Sequence, residues 1–382
     1  MKLPLINRKV FFFAMIPIVP LFIGIVFLNY GLLDIAVQKL FIGSAQQTDD
    51  QIKNGSQIQR EKKYLPKVVK AVYSTMYTAS EEKQLEHLLD IINKTELNAV
   101  VVDVKDSDGR LIFDTIDIWK ITAKLKEHDV YIIGRVVAFQ DNGAAKDRPQ
   151  TVLKNKSGTI WRDRAGFAWV DPASKEGWEY LMSVSKQALD VGFDEINYDY
   201  IRFPSEGALN SAVYPAWNAS TTKSATIKSF AAYAKKTLKE HNPDALVSID
   251  IFGYTFLRND DLGIGQKLEE LIDEFDFVYP MVYPSHYASG NFGFQNPAQH
   301  PYEVIKGTIE SGFEQLGGGA EQAKSKIRPW LQAFDMGAKY TPDMMEAQIK
   351  AVSDSFGEKS SGWLLWDPNN RYNGAEEYLK EN

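Results

Sequence analysis

From Ala71 to the C-terminus, short β-branched or aromatic runs alternate with longer charged stretches whose apolar residues recur at helical spacing. Eight such runs stand out: Ala71–Thr78, Ala99–Lys105, Val130–Phe139, Glu195–Phe203, Leu246–Tyr254, Phe277–Tyr287, Ile327–Phe334 and Ser361–Pro368. Between them, "SEEKQLEHLLDIINKT" opens on Ser80 as a candidate N-cap, and "SKEGWEYLMSVSKQALDVG" runs at helical period to Gly192. "DMMEAQIKAVSDSFG" repeats that pattern later in the chain. Strands alternating with helices make a parallel sheet of the α/β class, and eight of them close a (β/α)8 TIM barrel. An open doubly wound sheet is the rival, but it needs a glycine-rich loop after its first strand, and "YTASEEK" is not one. The segments Asn142–Pro172 and Pro204–Thr226 are too long for simple connections. Both follow strand C-termini, where barrel enzymes assemble their substrate sites.

The N-terminus breaks this alternation. Lys2, Arg8 and Lys9 precede the uncharged run Val10–Leu28, whose nineteen residues are long enough to span a hydrocarbon core of ~30 Å as a helix. The basic flank predicts that this end stays in the cytoplasm and the rest of the chain lies outside it. "IGSAQ", Ile42–Gln46, is a candidate cleavage site, so secretion after signal cleavage is the alternative to a membrane anchor. The polar stretch Ser44–Lys67 has no steady period and reads as a tether. The expected organisation is an anchor or signal segment over residues 1–43, a linker over 44–66 and a barrel domain over 67–382.

Composition narrows the chemistry. The net charge is −7 with both signs interspersed and no basic stripe, so neither nucleic acid nor nucleotide is expected as a partner. With no cysteine, disulfides, thiolate metal sites and cysteine nucleophiles are excluded. The five histidines show no metal-ligand spacing, and no metal or cofactor is expected. "GIGQK" at Gly263 and "GGGAEQ" at Gly317 do not sit between a strand and a Lys-Ser/Thr helix start, so they are not phosphate loops. "DSDG", Asp106–Gly109, echoes a calcium loop without its later ligands and reads as a turn.

What remains is an excess of charge where a barrel interior is normally apolar. Side chains alternate along a strand, so Val101, Asp103 and Lys105 share a face. So do Glu195, Asn197, Asp199 and Ile201, and so do Ser248, Asp250, Phe252 and Tyr254. Val247, Ile249 and Ile251 suit packing against helices, which turns Asp250 inward. Arg135, Gln332 and Trp366 are further inward candidates on the third, seventh and eighth strands. Asp103 and Lys105 either neutralise each other or serve a site, and Arg135 either pairs structurally with an aspartate or holds substrate. Trp366 is either core or a sugar-stacking face, and His286 is either structural or a substrate contact among tyrosines that include Tyr283. Asp199 and Asp250, on neighbouring strands among other polar residues, resist a purely structural reading. Paired carboxylates in an aromatic-rich barrel mouth are the equipment of a glycoside hydrolase.

Taken together, "TELNAVVVDVKDSDG", "GFDEINYDYIRFP", "SIDIFGY", "PMVYPSHY", "RPWLQAF" and "GWLLWD" resemble the bacterial putative glycosyl hydrolase domain family over about Lys67–Tyr378. The resemblance implies a TIM barrel of glycosidase ancestry. A more distant likeness is to chitinase-like barrels. Asp194 and Asp199 match two of their fourth-strand acids, whereas Asn197 and Ile201 replace a middle aspartate and the glutamic acid proton donor. In other retaining barrel glycosidases the nucleophile is an aspartate ending the fourth strand, a position that Asp199 fits.

The expected function is therefore glycoside hydrolysis of a cell-envelope or extracellular polysaccharide, with retention favoured because the carboxylates sit on adjacent strands. Asp199 would be nucleophile or charge stabiliser, Asp250 the acid/base, and Asp103 the reserve acid/base. Lys105, Arg135, Asn197, Tyr283, His286, Gln332 and Trp366 would orient carboxylates or contact sugar. A barrel that binds carbohydrate without cleaving it, as scaffold or sensor, is the alternative.

Overall fold

A computed structural model describes residues 65–114, 117–372 and 374–381. The expected anchor and most of the linker lie outside the described residues. Among those described, no helix is long and apolar enough to cross a membrane.

Eight parallel strands close a barrel in sequence order: β1 (Val69–Ser74), β2 (Ala99–Lys105), β3 (Tyr131–Val137), β4 (Glu195–Asp199), β5 (Leu246–Phe252), β6 (Phe277–Met281), β7 (Trp330–Gln332) and β8 (Gly362–Trp366). The principal helices are α1 (Glu82–Lys94), α2 (Ile118–Glu127), α3 (Lys175–Asp190), α4 (Lys223–His241), α5 (Leu268–Leu271), α6 (Pro301–Leu316) and α7 (Pro342–Phe356). Alternation sorts the strand residues into two apolar shells. Val100, Val102, Ile132, Ile196, Val247, Ile249 and Ile251 face the helices, whereas Val101, Tyr131, Ile133, Tyr279, Trp330 and Leu364 fill the interior.

The strands are shorter than the apolar runs that announced them, for local reasons. The first run stops at Ser74 because Thr75 caps a short helix over Met76–Ser80, its hydroxyl accepting from Thr78 N at 3.1 Å. Ser80 does not cap α1, because its hydroxyl donates back to Tyr77 O at 2.7 Å and Glu81 takes the cap position. Ser174 does cap α3, accepting from Gly177 N. Between β1 and β8 the backbones meet closely at Gly362. Its φ is +117°, and a Cβ there would lie 1.7 Å from Val69 O, so closure at this seam requires glycine.

The lower end of the barrel interior holds a buried ion pair. Arg328 Nη1 donates to Glu195 Oε2 and to Tyr279 Oη, both at 3.0 Å, and Tyr131 Oη donates to the same carboxylate at 2.9 Å. Arg328 is 1% exposed and Glu195 not at all. Removing one partner leaves an uncompensated buried charge, which is far costlier than losing the pair together. Arg328→Met is expected to lower unfolding free energy by about 3–5 kcal/mol, with Arg328→Met/Glu195→Gln recovering much of the loss. Denaturant titration of the single and double variants measures this.

The two long connections pack on each other beyond the C-terminal ends of β3 and β4. Residues 154–155 and 212–213 form a two-stranded antiparallel ribbon. Asp171 Oδ2 accepts from Ala216 N and Trp217 N at 2.7 and 2.9 Å, and Trp161 Nε1 donates to Ala208 O. Through Trp169 the first connection packs edge-on against Tyr200, just past β4, with ring centroids 6.0 Å apart.

Candidate active site

Strand register sets the site. Asp103 on β2 lies opposite Arg135 on β3, Arg135 opposite Asn197 on β4, and Asn197 opposite Ser248 on β5. These four form a polar belt across half the interior. Tyr198 pairs with Ile249, so continuing that register sets Asp199 beside Asp250, on strands that lie ~4.8 Å apart.

Asp199 ends β4 and is held as an acceptor on both oxygens. Arg135 Nε donates to its Oδ2 at 3.1 Å, and Nη2 reaches the same oxygen. Tyr200 N donates to its Oδ1 at 2.6 Å. That last contact needs Tyr200 at φ +53°, the left-handed region that a bulky residue seldom adopts. The strain falls one residue after the central carboxylate. Arg135 Nη1 also donates to Asp103 Oδ1 at 2.6 Å, and Tyr73 Oη donates to Asp103 Oδ2 at 2.6 Å. Burial works against the guanidinium's charge, but Asp199 and Asp103 more than offset it and hold Arg135 protonated.

Asp250 is treated differently. Its Oδ1 accepts from Asn197 Nδ2 at 3.0 Å and Trp330 Nε1 at 2.8 Å. Both donors are neutral, and Oδ2 makes no hydrogen bond among the described residues. Burial, followed by the negative charge of Asp199, pushes the Asp250 carboxyl well above the usual range. Two neighbouring acids thus stand in different surroundings: one carries three donors, two of them from a cation, and the other is buried with a proton to give. Burial also raises Asp103, and Arg135 and Tyr73 oppose that shift.

A cleft of about 430 Å³ opens above these groups. Arg135, Asp199, Asp250, Tyr283, His286 and Trp366 all line it. Trp366 stacks on Tyr73 with ring centroids 3.9 Å apart, with the Arg135 guanidinium 5.1 Å from its ring. His286 is edge-on to Tyr283 at 5.2 Å, and burial lowers its pKa, so it faces the cleft as neutral imidazole. Met281, Phe252 and Tyr254 complete an apolar rim.

Other residues singled out in the sequence stand elsewhere. Asp103 is screened behind Arg135 and does not line the cleft. Lys105 does not pair with Asp103: the β2–β3 register shifts between them, and its ammonium is buried against Asp141 at 3.0 Å and Val137 O at 2.9 Å. Asn197 acts through Asp250 and leaves its own Oδ1 buried without a partner. Gln332 ties two loops together, accepting from Ser285 N and donating to Phe334 O. Asp194 faces away, bonded to Lys126 and accepting from Ile132 N. Tyr200 and Arg202 also line the cleft and were not anticipated as site residues. Arg202 shares the polar-rich "YDYIRFP" with Asp199, which was the one available signal, but Tyr200's backbone conformation leaves no sequence trace. No group of residues suited to hold a metal ion occurs among the described residues.

The chain is similar to several solved structures. A hypothetical protein from Ruminiclostridium thermocellum ATCC 27405 is 31% identical over 50% of this chain and 98% of its own, with a TM-score of 0.42. An α-galactosidase from Thermus thermophilus in complex with stachyose is 13% identical, covering 80% of this chain and 62% of its own, with a TM-score of 0.50. A β-galactosidase from the psychrophilic Marinomonas ef1 is 10% identical, covering 78% and 54%, with a TM-score of 0.52. At such identities the two galactosidases share the fold, and this chain spans less than two thirds of either. No curated protein matches the chain. The family described as putative glycosyl hydrolase domain matches residues 71–372, from β1 to the tyrosine behind it, and the chain belongs to that family.

Proposed function

We propose that the barrel is a retaining glycoside hydrolase acting on an extracytoplasmic polysaccharide, with Asp199 as nucleophile and Asp250 as acid/base. The observation that carries this is the contrast between adjacent carboxyls. Asp199 accepts twice from the Arg135 guanidinium, whereas Asp250 is buried among neutral donors with one oxygen free. In the first step Asp250 Oδ2 protonates the departing glycosidic oxygen while an Asp199 oxygen attacks the anomeric carbon, giving a glycosyl ester. In the second, the now ionised Asp250 removes a proton from water, which displaces Asp199. Arg135 stays bonded to Asp199 and stabilises the carboxylate as it departs in that second step. Trp366 and Tyr283 offer faces for sugar rings.

The apolar run after a basic N-terminal flank supports an anchored domain outside the cytoplasm. A panel of envelope and extracellular polysaccharides, with aryl glycosides alongside, tests the reading. New reducing ends are expected from the wild-type chain and not from Asp199→Asn. Binding without release by the wild type on every substrate that it binds would favour a non-catalytic carbohydrate-binding barrel.

A further inference from the structure

Among the described residues four cations are buried in or beside the barrel, and three of them have carboxylates, Lys105 with Asp141 being one such pair. Arg135 has Asp103 and Asp199, and Arg328 has Glu195. Arg202 is 7% exposed and has no carboxylate within ion-pair distance among the described residues. Its only hydrogen bonds there run from Nη1, to Phe203 O and Ser205 Oγ, both at 3.2 Å. Trp169 and Phe252 stand 4.8 Å from the guanidinium carbon and Tyr200 stands 5.2 Å away. These rings fix the plane of the group, and the Nη1 anchors fix its rotation. The Nε–Nη2 edge is left without a protein acceptor, on a residue that lines the same cleft as Asp199 and Asp250.

Burying a cation with no carboxylate in direct contact is costly, and burial lowers the Arg202 pKa, with the more distant Asp199, Glu206 and Asp163 only partly opposing it. A preset guanidinium with one free edge is a receptor for a planar, two-oxygen anion, which it grips through two parallel N–H···O bonds. We propose that Arg202 is a specificity residue that binds a carboxylate on the substrate, so that the polysaccharide cleaved is built from carboxylated sugars. This rests on the glycoside hydrolase reading and names its substrate class. The carboxylate could be the C6 acid of a hexuronic acid or an ether-linked acid on an amino sugar; both present the same two oxygens. The aromatic cage suits the role, because rings on three residues surround the guanidinium and lower the polarity around a charge pair formed there.

The test uses the full-length chain carrying Asp199→Asn in detergent, titrated calorimetrically with matched oligosaccharides. One arm is a uronic-acid oligomer and its carboxyl-reduced neutral counterpart. The other is an amino-sugar oligomer with and without its ether-linked acid. At least one carboxylated ligand is expected to bind about tenfold or more tighter than its neutral counterpart. Arg202→Met should erase that preference, costing the carboxylated ligand far more affinity than its neutral counterpart, and Arg202→Lys should restore part of it. Equal affinities within both pairs overturn the proposal even if Arg202→Met fails to fold. An equal loss for charged and neutral ligands in Arg202→Met also overturns it, since that marks a structural role. Hydrolysis of neutral polysaccharides alone would remove this inference and leave the glycosidase reading standing, and an absence of all carbohydrate binding would remove both.

Discussion

Asp199→Asn is expected to cut turnover by about 10⁴-fold or more on any substrate that the wild type hydrolyses, because an amide cannot form the glycosyl ester. The fold should survive, at a cost. An asparagine at this position still accepts on one side, but its NH2 must face either the Tyr200 N–H or the Arg135 guanidinium, both donors. One mispaired buried contact of this kind costs about 1–3 kcal/mol, so the melting temperature should fall without loss of the circular dichroism signature. A stronger discrimination comes from Asp199→Gly with an activated aryl glycoside and added azide. If Asp199 is the nucleophile, azide enters the vacated space and restores release of the phenol, giving a glycosyl azide of inverted configuration. The wild type should release product with the anomeric configuration retained, readable by proton NMR. Near-wild-type turnover in Asp199→Asn would sink the assignment, and inverted product from the wild type would end the retaining mechanism.

The barrel was legible because its strands report themselves twice, through the apolar runs and through the polar residues interrupting their inward faces. Val247, Ile249 and Ile251 against Ser248 and Asp250 orient β5 unambiguously, and the structure places them on opposite shells. The inward orientation of Asp199 and Asp250 was legible for the same reason. What period-2 logic missed has local causes. A register shift after Asp103 takes Lys105 out of the expected row and into Asp141, a residue beyond the end of β3 whose approach no spacing rule predicts. The indole N–H of Trp330 is turned onto Asp250, where it stabilises one oxygen and so leaves the other for the proton, a contact that strand alternation does not predict. Arg202 lies past the end of β4, where alternation no longer applies. Its meaning depends on the absence of a carboxylate in contact with it among the described residues, which only the folded chain displays.

Asp250 supplies a test that needs no substrate as well as one that does. The folded protein keeps a proton on this buried carboxyl at pH values where the unfolded chain, with an ordinary aspartate pKa of about 3.9, has released it. The native state then binds more protons than the unfolded state, so stability must fall as pH rises from about 4 toward the raised folded pKa, and level off above it. Asp250→Asn should remove much of that slope, leaving the part due to Asp103, whose carboxyl burial also raises. Chemical denaturation at stepped pH reads this directly, and an unchanged slope in the variant would show that Asp250 is ionised in the fold. Catalysis follows the same proton. The acid acts only while protonated, so kcat/KM should decline as pH rises through the Asp250 pKa. In Asp250→Asn that alkaline limb should vanish. Substrates with poor leaving groups should lose about 10²–10⁴-fold, while aryl glycosides whose leaving group departs unaided should keep much of their first-step rate. Uniform loss across leaving groups would mean that Asp250 orders the site through Asn197 and Trp330 without donating a proton, and the acid/base would then have to be sought among the other groups facing the cleft.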